Sequence, residues 1–176
     1  MKRSILALVA LTIFLGGCAA VQSIVRSTFP YTATLLIPAS GKVSTTLSAT
    51  SPASSFDQIF TGQGSNTTAI KDVHISSARL DATSPSGQSM SVFKTIKMYI
   101  SRGDSAAEIM VASRDDIGAS IGSSIMLDID NSKLLDEYIK GSTVKVRMEY
   151  ILRSEISTDI SIKTSLGFSV APNTAK

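Results

Sequence analysis

The residue of this 176-residue chain that most invites a chemical interpretation is Ser120, within Gly118-Ala119-Ser120-Ile121-Gly122. This Gly-x-Ser-x-Gly spacing occurs in hydrolases whose nucleophilic serine lies on a sharp strand-to-helix turn. The chemistry needs a helix directly after the serine and a histidine later in the chain. Here Ile121 to Ile129 has the pattern of a strand, and the single histidine, His74, precedes the serine. We therefore interpret Gly118 to Ser124 as a flexible turn and expect no enzyme.

Metal ligands are sparse as well. With one histidine and one cysteine in the chain, zinc and copper lack their usual ligands. The acidic stretch Asp128-Ile129-Asp130-Asn131 lacks the glycine and the distal glutamate of a calcium loop, and capping of a following helix accounts for Asp130 or Asn131. Asp115-Asp116 fits a solvated turn, and His74 fits the polar face of a strand. We predict no catalytic residue, no metal and no cofactor.

The remaining reactive residue, Cys18, follows a segment with the order of a secretion signal. Lys2 and Arg3 precede an apolar run from Ile5 to Leu15. This run is shorter than the roughly 20 apolar residues that span a bilayer and has the length of a removable signal. Two glycines before the cysteine let an extended backbone lie close to a protease. We assign residues 1–17 to a signal peptide.

The tetrapeptide Leu15-Gly16-Gly17-Cys18 resembles the lipobox of bacterial lipoproteins. The resemblance implies a diacylglyceryl group on the Cys18 thiol and cleavage directly before it. An ordinary signal peptide with an unrelated cysteine is the competing interpretation, but the charges, the apolar run and the cysteine stand in the right order. Two or three acyl chains anchor a protein without spanning the membrane. Since no Asp and no acidic cluster follows Cys18, the resemblance implies the outer membrane, with the domain facing the periplasm.

Removal of the signal changes the charge and sets the size of the mature protein. The chain has 17 basic and 14 acidic residues, and loss of Lys2 and Arg3 leaves 15 against 14. That balance offers no concentrated basic stripe for nucleic acid. The 159 remaining residues suit one domain, which has no second cysteine for an internal disulfide. We assign residues 18–28 to the lipidated cysteine and a tether, and residues 29–172 to the domain.

Apolar residues alternate with polar ones through most of this domain, which predicts strands. The clearest runs are Val144 to Leu152 and Ile160 to Val170. We predict a hairpin from Tyr31 to Ile37 and Lys42 to Thr50, and a β-bulge near Ser76-Ser77, where the alternation changes phase. The other predicted strands lie within Ala69 to Thr83, Thr95 to Ser101, Glu108 to Ser113 and Ile121 to Ile129.

Helical spacing is confined to short segments. Leu134, Leu135, Tyr138 and Ile139 fall on one helical face, and Gly141 suits its C-terminal end. Met90 to Lys94 favours a brief helical turn, and Phe56, Ile59 and Phe60 favour another inside a loop. The sequence thus predicts a mainly β protein: an antiparallel β-sandwich of about seven or eight strands with one or two short helices.

Four features together resemble a group of short bacterial lipoproteins that have an immunoglobulin-like β-sandwich and no assigned activity. They are the lipobox, the segment Phe93 to Ser101, the helix Leu134 to Lys140 and the final two strands. The resemblance covers most of the mature chain and implies an immunoglobulin-like sandwich. It implies no particular function, because one fold serves many.

Two functions remain open at this stage. The first is a non-catalytic interaction or structural module, anchored to the membrane through acyl chains on Cys18, that presents loops or a sheet edge to another envelope protein. The second is a carrier or sensor of a small apolar ligand bound between the layers of the sandwich. The chain has no tryptophan, so a stacked aromatic platform for sugars is not expected.

Overall fold

A computed structural model describes residues 27–55, 70–139 and 143–172, which form two antiparallel β-sheets. One 3-10 turn, Met90–Val92, and a single-turn helix α1, Asp136–Ile139, accompany them. The predicted mainly β sandwich with short helices is confirmed. The strands are β1 Ser27–Ile37, β2 Thr46–Thr50, β3 Ser54–Ser55, β4 Ile70–Ser84, β5 Phe93–Arg102, β6 Glu108–Arg114, β7 Ser124–Met126, β8 Asp128–Ile129, β9 Thr143–Leu152 and β10 Ile160–Pro172.

The strand order interleaves the two sheets. The first sheet has the order β1-β10-β4-β7, and the second has the order β2-β9-β5-β6-β8, with β3 continuing the β2 edge by pairing with β9. If the short β3 and β8 are left aside, the chain changes sheet at every connection except the β5–β6 hairpin. Two interleaved Greek keys of this kind form a jelly roll. It shares the two-layer architecture of the immunoglobulin fold and connects the strands differently.

Strict alternation in β9 and β10 builds the core between the sheets. The inward side chains of β9 are fully or almost fully buried, while Lys145 and Arg147 between them reach solvent. The rings of Phe93 and Tyr150 meet edge to face at a centroid distance of 5.5 Å. Burying one large apolar side chain of this kind stabilises the fold by about 1.5–3 kcal/mol. The predicted inward residues of the two strands are confirmed: Val144, Val146, Met148, Tyr150, Leu152, Ile160, Ile162, Leu166, Phe168 and Val170.

The predicted bulge in β4 is confirmed. Ser77 lies opposite Gly167, whereas Ile75 lies opposite Phe168, so Ser76 is the extra residue on its strand. The inward face therefore passes from Val73 and Ile75 to Ala78 and Leu80, all of them buried. A β-carbon on Gly167 would collide with the side chain of Ser77. A larger residue at position 167 would therefore displace the serine hydroxyls at the bulge.

The predicted hairpin of the first two strands is wrong. β1 pairs with β10 in one sheet and β2 pairs with β9 in the other. The turn at residues 38–41 carries the chain across the end of the sandwich, where Gly41 lies against the side chains of Leu47 and Leu152. Alternation determines which side chains turn inward, but it does not determine which strand lies alongside.

The predicted strand Ile121 to Ile129 is two strands in different sheets. β7 pairs with β4, and β8 pairs with β6. Between them, Leu127 is buried and donates its backbone N–H to the Ala78 carbonyl at 2.9 Å. The inward alternation of Ile125 and Leu127 is retained across the change of sheet.

The predicted helix is shorter than expected. Asp130 does not cap it: its carboxylate accepts from the backbone N–H of Ser132 at 3.2 Å within a turn. Leu134 is 57% exposed, although Leu135 and Ile139 are buried as expected. Leu135, directly before α1, donates its backbone N–H to the Val73 carbonyl of β4 at 2.8 Å instead of continuing the helix. Gly141 and the loop residues Phe56, Ile59 and Phe60 lie outside the described residues.

Thr164 gives a test of the core. This β10 residue is 0% exposed, and its hydroxyl oxygen has no hydrogen-bond partner among the described residues. A buried hydroxyl without a partner costs about 1–3 kcal/mol. We expect Thr164→Val, which keeps the side-chain shape, to raise the free energy of unfolding by about 1 kcal/mol and Tm by about 2–4 °C.

Urea and thermal unfolding measure this change. Thr164→Ser is the matched control, since it keeps the hydroxyl and loses a buried methyl, and it is expected to be less stable than the native chain. A Val variant that is less stable than the native chain would contradict the interpretation.

Candidate functional site

The predicted lipidation and cleavage residues precede the described part of the chain. Gly17 and Cys18 lie outside it, and the first described residue, Ser27, is nine positions after Cys18. The sandwich therefore begins within the segment assigned to the tether. In the described residues, no helix combines the length and the apolar character needed to cross a bilayer.

The residues that suggested hydrolase chemistry are far apart. Ser120 is exposed in a loop, and the chain continues from it into β7 rather than into a helix. The Ala82 N–H donates to the Ser123 carbonyl at 2.8 Å, which places this loop near the C-terminal end of β4. His74 lies on the same strand, eight residues before Ala82. Eight residues of a strand span about 26 Å. His74 is half-buried opposite Ser169, and its Nδ1 has no hydrogen-bond partner among the described residues.

The acidic residues considered as calcium ligands face basic side chains of the same chain. Asp128 lies 3.4 Å from Arg114, and Asp130 lies 3.2 Å from Lys133. The hydrogen bond from the Ser132 hydroxyl lowers the pKa of Asp130. Within the described residues, no three potential ligands of the His, Cys, Asp or Glu type come together.

A network of charges covers the outer face of the second sheet. Arg147 on β9 donates from Nε to both oxygens of Glu108, at 2.9 and 2.8 Å, and also pairs with Glu149 at 3.4 Å. Its guanidinium lies 4.2 Å from the centre of the Tyr99 ring. The bond to Glu108 is the main cause that raises the pKa of Arg147. Because these groups satisfy one another, we interpret the network as a stabilising feature of the sheet.

Three of the four sheet edges are short, interrupted or covered. β7 has three residues and β8 has two. The β2–β3 edge is interrupted at residues 51–53, which include Pro52. Next to β7, the carboxylate of Asp136 accepts from the backbone N–H of Val73 at 3.1 Å, so the residues around α1 cover β4. Natural proteins use such devices to prevent uncontrolled strand pairing.

The fourth edge, the outer side of β1, is different. β1 pairs with β10 over eleven residue pairs with no register shift, and no described strand pairs with its other side. It contains no charged side chain. Thr32, Thr34 and Leu36 point away from the core, and Leu36 is 57% exposed. A long, straight, uncharged edge presents backbone groups to an incoming strand.

Tyr31 fixes this edge to the other sheet. Its hydroxyl donates to the Val144 carbonyl at 3.1 Å and forms a hydrogen bond with the Ser54 hydroxyl. Burial raises the pKa of Tyr31, which keeps the donating proton on the hydroxyl. The β1 edge is thereby held in an extended conformation, which lowers the entropy that binding would cost.

Sequence reasoning identified β1 as a strand and assigned its inward residues, but it did not recognise the strand as a long free edge. The available signal was the lack of charge across the segment, together with Pro30, a residue that strands tolerate mainly at edges.

Comparison with known proteins adds little. No family model and no curated protein matches the chain. Among solved structures, one match is the empty head of turnip yellow mosaic virus, at 11% identity. The match covers 85% of this chain and 86% of the viral chain, with a TM-score of 0.28. A likeness at that score supports no conclusion about fold or function.

Arg147 gives a test of the charge network. We expect Arg147→Ala to lower the free energy of unfolding by about 1–2 kcal/mol, through loss of the carboxylate pairs and the cation–π contact. Arg147→Lys should restore less than half, because lysine keeps the charge without the planar fork.

Urea unfolding at low salt and in 1 M NaCl measures these losses, and salt should reduce them. Arg79→Ala is the comparison, since Arg79 pairs at an exposed position with one carboxylate of the described residues, that of Asp81. If Arg79→Ala and Arg147→Ala lower the free energy of unfolding equally, the network stabilises the sheet no more than a single exposed ion pair does.

Proposed function

We propose that the chain is a lipid-anchored envelope protein and a non-catalytic interaction module, whose β1 edge accepts a strand from a partner protein. The observation that carries the proposal is the outer edge of β1, beside which no described strand lies and which starts nine residues after Cys18. Strand addition suits such an edge, because backbone hydrogen bonds supply affinity and alternate side chains supply specificity.

The sequence before β1 supports the anchored location. Leu15-Gly16-Gly17-Cys18 follows a charged and apolar leader, and residues 19–26 form a short connection to Ser27. At about 3.5 Å per residue, eight extended residues reach about 28 Å. An acylated Cys18 would therefore hold β1 close to the membrane surface. The absence of Asp and of an acidic cluster after Cys18 favours the outer membrane, with the sandwich facing the periplasm.

The anchor is tested by removing the cysteine. We expect Cys18→Ala to release the protein from the membrane fraction, because no acyl chains remain to bury in the bilayer. Fractionation of cells and the intact mass of the mature protein measure the effect. A wild-type mass without acyl chains, or a Cys18→Ala variant still in the membrane fraction, would contradict the anchor.

The interaction is tested by site-specific capture in intact cells. A photoreactive residue in place of Thr34, exposed on β1, is expected to yield a defined adduct with one protein. The same residue in place of Ser48, exposed on the interrupted β2–β3 edge, is the matched control and should yield much less. Gel shift and peptide mass spectrometry identify the adduct. No adduct at position 34 in repeated experiments, or equal adducts at both positions, would refute the proposed use of β1.

A second candidate function is a carrier of a small apolar ligand, and the hydroxyl of Thr164 is the observation in its favour. This oxygen lies inside the core without a hydrogen-bond partner among the described residues, and a polar atom of a ligand would satisfy it. A carrier isolated from its own membrane should retain a ligand in native mass spectrometry. An interaction module should give the mass of the acylated chain alone.

A further inference from the structure

The properties of β1 identify a partner for its edge. We propose that β1 of one chain pairs antiparallel with β1 of a second copy, about a two-fold axis at Thr34. This inference names the partner of the edge and rests on the proposed function. The argument uses charge, register, symmetry and the geometry of anchoring.

The charge pattern allows self-pairing. Like charges directly opposite each other destabilise an antiparallel pair, and the segment Ser27–Ile37 contains none. The edge strand β8 has only two residues, and Asp128 would face a like charge when the strand pairs with itself about that residue. β2 is also uncharged, but it has only five residues. Of the described edges, β1 alone combines length with the absence of charge.

Pro30 defines the register. Proline has no backbone N–H, so a paired segment is expected to begin after it. The remaining residues, 31–37, form a symmetric antiparallel pair only when Thr34 faces Thr34 of the second copy. Thr32 then lies opposite Leu36 of the second copy, and the exposed Leu36 gains a neighbour. Thr–Thr pairs are favourable across antiparallel strands, and the outward residues of both copies share one face.

The symmetry of this pair closes the assembly. An isologous contact uses the same edge in both copies, so each β1 edge is consumed once. The first sheets then join into one sheet of eight strands, a size that occurs in natural sheets. The short, interrupted or covered edges elsewhere do not propagate the contact. The expected product is a dimer and not a fibre.

Anchoring compensates for the small size of the contact. Seven paired residues bury less than the roughly 800 Å² per partner of a stable complex, so the pair is expected to be weak in dilute solution. Acyl chains confine all copies to one surface and raise their effective concentration. A two-fold axis along the membrane normal brings both Ser27 residues to the same height, within reach of their anchors.

Disulfide trapping in membranes tests the pair with the full chain. Copies carrying two different tags are expressed together with Thr34→Cys, with Ser48→Cys as the matched edge control and the wild-type chain as the blank for Cys18. Opposed residues of an antiparallel pair have Cα atoms about 4.5–5.5 Å apart, within the range that a disulfide bridges. Mild oxidation is expected to give a reducible, doubly tagged dimer from Thr34→Cys alone.

The register has its own test at exposed positions that leave the core intact. Thr32→Cys in one copy should cross-link to Leu36→Cys in the other, and Thr32→Cys should not cross-link to itself. A dimer from both edge variants, or from neither, overturns the inference, as does preferential 32-to-32 linkage. Capture of a different protein at position 34 without a homodimer overturns this inference and leaves the proposed function intact. Capture of no protein overturns both.

Discussion

The pairing of β1 with β10 is the contact on which the rest of the structure depends. It joins the first strand of the sandwich to the last over eleven residue pairs, and β10 in turn pairs with β4. Without it, β10 would be an edge strand, and the core row of Tyr31, Leu35 and Ile37 would lose its place beneath the second sheet. Pairing residues so distant in sequence costs loop-closure entropy, which the burial of the inward side chains of both strands offsets.

The same pairing prepares the opposite side of β1 for the interaction proposed above. β10 saturates one side of β1, and the bond from Tyr31 to Val144 fixes the strand across the sandwich. These interactions hold the backbone extended while the opposite side stays free of described strands. A surface that binds through its backbone, as proposed for β1, needs no particular side chain.

The sequence determined local properties better than global ones. The alternation in β9 and β10 correctly assigned the buried residues, and the change of phase at Ser76 correctly located the bulge, because both depend on neighbours along the chain.

The order of strands depends on contacts between distant segments, so the predicted β1–β2 hairpin was wrong. The split between β7 and β8 was missed for a related reason: Leu127 stays inward while the chain changes sheet, and the alternation continues unbroken. The helix was overextended because Leu135 bonds to Val73, a contact that helical spacing does not report. The edge position of β1 was also missed, because its two sequence signals, Pro30 and the lack of charge, are weak beside the alternation that marks any strand.

The position of Ser27 opposite Val170 brings the two ends of the domain together. Adjacent ends make a domain tolerant of circular permutation and of insertion into another chain. Linking the ends and opening the β5–β6 hairpin turn at Gly103-Asp104 would create a new start for the chain at a different point of the sandwich. Such a rearranged molecule would keep every strand pair while moving the attachment point of the proposed anchor to a different side of the sandwich. The pairing of the strands and the position of the chain's two ends are therefore separable in this sandwich.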